Sequence, residues 1–302
     1  MELETKMFIK KVCVLLVITL VFAYAGCTKK NEKKIVIGSK NFTEQVILGE
    51  MVSILLEKKT DLNVERKLNL GGTFICFEAL KQGDIDLYLE YTGTGLTAIL
   101  KMPVISDPQK VYNLVKEAYK KRFNLVWLKP LGFNNTYTLT MRGKQAEEHN
   151  TKTISDLAAW KDKFIAGFTH EFFERPDGYP NLIKHYGFEF TKKPREMDPG
   201  LMYIAIANEE VDIICGFATD GRILAFNLVT LKDDKDFFPP YWAVPVVRGE
   251  TLNKHPEIAK VLNQLAGKIN NAAMIEMNYK VDKKGEDSKK VATEFLHNIG
   301  LI

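Results

Sequence analysis

Four aromatic rings stand out in this chain by their position. Tyr91, Tyr137, Phe217 and Tyr241 each fall at or just after an expected strand end, in EYTGTG, FNNTY, GFATDGR and FFPPYW. Core aromatics belong inside apolar runs, where Phe164 and Phe168 lie. One use of a ring at a strand end is packing, with its polar tip at a rim. Convergence on one point would be another use, and it would solve a particular chemical problem. A quaternary ammonium has no N–H to donate, so a protein holds it by the negative faces of aromatic rings, each worth about 0.5–2 kcal/mol. Two further loops, SKNFTE and HEFFERPDGY, bring cations to strand ends.

The elements that must position these loops are legible as a repeated rhythm. KIVIG at 34–38 is a short β-branched run ending in glycine, hence a buried strand. Asn41-Phe42-Thr43-Glu44 has the spacing of a capping box, with Asn41 as cap and Glu44 reaching back. The helix it opens is expected to run to about Lys58, with Ile47, Met51, Ile54 and Leu55 on one face. LNVERKL at 62–68 alternates like an edge strand, Gly71-Gly72 is a turn, TFICFEALKQGD is a helix stopped at Gly83, and IDLYLEY is a strand. Residues 107–122 form the next helix, with Val111, Leu114, Val115 and Ala118 at helical spacing. LVWLKPLGF and NNTYTLTMR follow as extended runs. The rhythm restarts at ISDLAAWKDKFIAGF and continues through YPNLIKHYGF, DPGLMYIAIANEE and VDIICGF, without a sequence repeat. HPEIAKVLNQLAGKINNAAMIEMNYKVD reads as helical, with Pro256 at a first-turn position. The expected fold is therefore α/β: two units, each a mixed, mainly parallel sheet flanked by helices, joined by extended crossings. A cleft at the strand ends between them is where such folds bind ligands.

The N-terminus bears on location. Lys6, Lys10 and Lys11 precede the apolar run VCVLLVITLVFAY, which is signal-peptide length and short of the ~20 residues of a membrane span. Residues 1–26 are expected to be a signal peptide. Ala25-Gly26-Cys27 then resembles a lipoprotein cleavage box, making Cys27 the lipidated residue and 27–33 a tether. An uncleaved N-terminal anchor is the alternative, and either tethers the protein outside the cytoplasm. Cys76 and Cys215 lie in apolar surroundings and read as buried small hydrophobes, not a disulfide framework or a metal site. The net charge is +4, and removing 1–26, with three lysines and two glutamates, leaves +3. So small a surplus is no nucleic-acid footprint.

GSKNFTEQ, EYTGTG, NNTY, TDGR and KDDKDFFPPY together closely resemble the substrate-binding proteins of ABC importers for glycine betaine, choline and related osmoprotectants. The resemblance runs from about residue 34 to the end. It implies a two-lobed type II periplasmic-binding-protein fold, with lobe 1 formed by 34–133 and 241–302 and lobe 2 by 134–240. It also implies an aromatic cage of Tyr91, Tyr137, Phe217 and Tyr241, where Phe217 replaces the family's usual tyrosine and keeps the π face. The family's carboxylate clamp falls on Lys40, Thr94 and Arg175, and Asn135 lines the cage where aspartate is common. Within EYTGTG, Tyr91 would then offer a ring and Thr94 a hydroxyl, with Gly93 and Gly95 letting the backbone come close. Glycine betaine is the expected ligand and choline the next, with carnitine and proline betaine as alternatives. The expected partner is an ABC permease in the cytoplasmic membrane. The protein is expected to be a monomer, exported and lipid-anchored to the outer face of the membrane or in the periplasm, without cofactor, metal or nucleic acid. No hydrolase, phosphate-loop or metalloprotease motif is present, so an enzyme on the same fold is a secondary reading, as is a surface lipoprotein that contacts macromolecules.

Overall fold

The computed structural model describes residues 33–302, so the signal segment, Cys27 and nearly all of the tether lie outside the described residues. Strand β1 (Lys34–Lys40) leads to helix Thr43–Lys59 and edge strand β2 (Asn63–Gly71). Helix Thr73–Gln82 follows and ends at Gly83, whose φ of 88° is the left-handed stop that glycine supplies. Strand β3 (Leu87–Tyr91) then runs into a helical segment, Thr92–Thr94 continuing as a π-turn over Gly95–Ile99. After helix Pro108–Phe123 and β4 (Leu125–Trp127), the chain crosses to a second sheet.

That sheet is built from β5 (Tyr137–Arg142), β6 (Ala166–Thr169), β7 (Arg195–Met197), β8 (Ile213–Phe217) and β9 (Leu228–Thr230). The chain then returns as β10 (Ala243–Arg248) to the first sheet. The strand orders are β2-β1-β3-β10-β4 and β7-β6-β8-β5-β9. They are the same pattern, in which the strand next to a crossing takes the fourth place. That strand makes both sheets mixed: β1–β3, β6–β7 and β6–β8 are parallel, whereas β10 and β5 pair antiparallel with both of their neighbours.

The two crossings lie side by side. Asn135 N–H donates to the Tyr241 carbonyl at 3.1 Å, Tyr241 N–H to Asn134 Oδ1 at 2.7 Å, and Asn134 bridges Trp242. Helix Thr43–Lys59 buries residues around most of its circumference, because β2 covers one side and helices Asn271–Asp282 and Ser288–Asn298 cover the other. The C-terminal segment is not one helix. It breaks between Leu265 and Asn270, where Gly267 and Ile269 donate backbone hydrogen bonds to Pro130 and Leu131 of the first crossing. Tertiary pairing with the crossing overrides helical propensity there. Cys76 and Cys215 are free and buried.

Candidate functional site

A cavity of about 610 Å³ opens between the two sheets. Strand register positions its rings. Tyr137 stands directly opposite Phe217 in the β5–β8 ladder, and their centroids are 5.0 Å apart. Tyr241 reaches in from the second crossing and meets Tyr137 edge-on at 5.8 Å. Tyr91 comes from the end of β3. Lys40 at the end of β1, Thr94, Asn135 and Arg175 line the same cavity, so each residue singled out in the sequence is brought to one place.

The cations do not stand free. Lys40, only 4% exposed, pairs through Nζ with Glu90 Oε1 at 2.5 Å and lies 5.1 Å from the Tyr91 ring centre. Arg175, 3% exposed, puts Nε and Nη2 on Asp177 at 2.9 and 2.5 Å, and its guanidinium lies 5.2 Å from the Tyr137 ring centre. Burial alone would pull Arg175 down, but the Asp177 carboxylate overrides it and holds the guanidinium firmly charged. Each cation thus arrives with its own buried anion, and a ligand carboxylate meets N–H donors rather than uncompensated positive charge. Burial pushes the phenols of Tyr91, Tyr137 and Tyr241 up, so all three stay protonated.

Several contacts tie the two sheets across the cleft. Arg175 Nη1 and Nη2 approach Thr94 Oγ1 at 3.4 and 3.3 Å. The Tyr241 hydroxyl donates to Asp177. Glu171 accepts the Thr73 N–H at 2.7 Å, which caps helix Thr73–Gln82 from the opposite side. His170 is exposed at the mouth, with Nδ1 2.9 Å from Glu196 Oε1.

Other residues of the site escaped the sequence reading. Phe42 stacks on Phe217 at 5.5 Å and on Tyr91 at 6.4 Å, adding a fifth ring. Glu44 does not reach back to cap its helix. The cap is Phe42, without a side-chain bond, and Glu44 is turned inward and buried. It accepts from Tyr91 at 2.6 Å, Asn135 at 2.9 Å, Asn278 at 3.2 Å and the Thr219 hydroxyl. Burial dominates and holds its carboxyl above the ordinary glutamate range, and the bonds from Thr219, Tyr91, Asn278 and Asn135 offset that only in part. Gly93 and Gly95 also differ from expectation, since neither bares backbone to the cavity. A Cβ on Gly93 would lie 2.9 Å from the Pro240 carbonyl and the Tyr241 ring, and one on Gly95 would meet Val115 at 2.8 Å and Trp127 at 2.9 Å. These glycines let the helix after Tyr91 pack tightly.

A chain of two mixed sheets with an aromatic, charge-compensated cavity between them has the build of a solute-binding protein. Residues 33–298 match the substrate binding domain of ABC-type glycine betaine transport systems, and the chain belongs to that family. Members are substrate-binding components of importers, not enzymes. The chain is 38% identical over 297 residues to the carnitine transport binding protein OpuCC of Listeria monocytogenes, covering 96% of each. It is 42% identical over 272 residues to the ergothioneine transport permease/ergothioneine binding protein EgtU of Helicobacter pylori, covering 89% of this chain and 48% of that protein. A solved glycine betaine/carnitine/choline ABC transporter structure superimposes with a TM-score of 0.73 at 36% identity, covering 88% of this chain and 99% of that one.

Proposed function

We propose that this protein captures a solute with a quaternary ammonium head, first glycine betaine, whose tail is a carboxylate, and next choline, and hands it to an ABC permease. The observation that carries the reading is the convergence of Tyr91, Tyr137, Phe217 and Tyr241 on a cavity that also presents Lys40, Thr94 and Arg175. The rings take the head and the donors take the tail, while Asn135 braces the cage wall. Each sheet with its helices is a lobe, 34–133 with 241–302 and 134–240, and a ligand bridging the lobes favours closure by its differential affinity. Export and lipidation at Cys27 would keep a monomer at the outer face of the membrane, near its permease.

Calorimetric titration of the full chain with glycine betaine and then choline tests this. Tighter binding of betaine supports cage and clamp together. The reverse order keeps the cage and overturns the clamp, and no binding of either overturns both as ligands. A second reading is favoured by one observation. A cavity of about 610 Å³ falls in the range of about 300–1,000 Å³ that suits drug-sized ligands, more than glycine betaine fills. A longer betaine such as carnitine or ergothioneine, named for the relatives above, would use that room, and the same titration ranks it.

A further inference from the structure

Glu44 is a fully buried carboxylate with no charged partner, unlike Glu171 and Asp198, which line the cavity half-buried and exposed. The neighbouring cations are taken: Lys40 pairs with Glu90, Arg175 with Asp177 and Arg222 with Asp220. No ion pair of Glu44 occurs among the described residues, and its four donors, from Tyr91, Asn135, Asn278 and Thr219, are neutral. A buried carboxylate without a counter-ion is costly and ordinarily takes a proton or a cation. Here the neutral donors and a place in the first turn of helix Thr43–Lys59 favour the ionised form without supplying positive charge. The missing charge has a direction. Glu44 is hydrogen-bonded to the phenol of Tyr91 and the amide of Asn135, both of which line the cavity.

We propose that Glu44 is a positioning residue that gives the cage wall a buried negative charge, holding Tyr91 and Asn135 in place and acting as counter-ion, through that wall, to the onium head. The inference rests on the onium reading of the cavity and assigns that reading's charge selectivity to one residue. Asn135 and Glu44 behind it then form one unit: the amide lines the wall and the carboxylate supplies the charge. Glu44 also joins groups from both sides of the cleft, Tyr91 at the end of β3 and Thr219 just beyond β8, so the charge is fully assembled when the sheets are together.

The test compares glycine betaine with tert-butylacetate, which has the same shape and tail but an uncharged head, by titrating the full chain in a non-ionic detergent. Wild type is expected to prefer betaine. Glu44→Gln should lower that preference about tenfold or more, through betaine alone, with tert-butylacetate unchanged within about twofold. Glu44→Asp should keep the preference even if both ligands bind less tightly. Equal losses for both ligands in Glu44→Gln would mean that Glu44 merely holds the wall, and would overturn the inference. If circular dichroism shows Glu44→Gln unfolded, carboxyl-carbon NMR of the betaine-bound wild type decides, with the signal assigned by its shift in Glu44→Asp. An ionised Glu44 supports the proposal, and a protonated one overturns it. A wild type that binds neither these ligands nor carnitine nor ergothioneine overturns the onium reading itself, and a wild type that binds glycine betaine and tert-butylacetate equally overturns only the role of charge.

Discussion

Under the proposed function Arg175 has two duties, pairing with Asp177 and holding the ligand carboxylate, and its substitutions should separate them. Arg175→Ala strands the buried Asp177 carboxylate, and breaking such a pair costs about 3–5 kcal/mol. The variant should therefore melt earlier, and it should lose more affinity for glycine betaine than for choline, which has no carboxylate for the guanidinium. Adding Asp177→Asn should restore much of the melting temperature by removing the stranded charge, without restoring the preference for betaine. Recovery of both would place selectivity elsewhere. The free thiols give a second prediction at this scale. Burial pushes Cys76 and Cys215 up to about 12 from an ordinary 9.0, so folded thiols stay protonated while unfolded ones ionise. Stability is therefore lost as pH rises from about 9 to about 12, by about 2 kcal/mol per thiol at pH 10.5. Denaturant unfolding of a Cys76→Ala, Cys215→Ala variant should show a shallower alkaline loss than the parent.

At the level of elements, one tight cross-cleft approach is at Gly72. A Cβ there would stand 1.8 Å from Glu171 Oε1, so Gly72→Ala must push the carboxylate off the Thr73 N–H and uncap helix Thr73–Gln82. We expect a loss of roughly 3- to 10-fold in ligand affinity. Glu171→Ala should cost about the same, and the double variant little more, because both remove one contact. Additive losses in calorimetry would show that Gly72 acts by another route. What could be read from the sequence divides at this scale. Strand ends and their rings were legible because alternation and punctuation mark them. Glu44 was hidden by a rival local rule: at capping-box spacing a glutamate predicts a cap, and only the packed helix shows it turned inward. Asp177 sits in a loop without periodicity. Glu90 did carry a signal, since a charge inside LYLEY, a strand buried at every position, demands a buried partner, which is Lys40. The break near Gly267 was out of reach, because it depends on a crossing over a hundred residues earlier in the chain.

Across the whole molecule, the two sheets meet through Arg175–Thr94, Asp177–Tyr241, Glu171–Thr73 and Glu44–Thr219. All four contacts are made between the protein's own groups, and that fact sets a clock. If a solute enters the proposed cage only after these bonds part, opening acts as a gate ahead of encounter. In stopped-flow mixing followed through Trp242 on the second crossing, the observed rate should level off at high solute concentration, at the rate of opening. A rate that climbs in proportion to concentration throughout would mean that the gate stands open. Tyr241→Phe, which deletes one bond of the latch, should raise the plateau. Retention, too, would be timed by the latch: once inside, a solute stays for as long as the protein's own bonds keep the door.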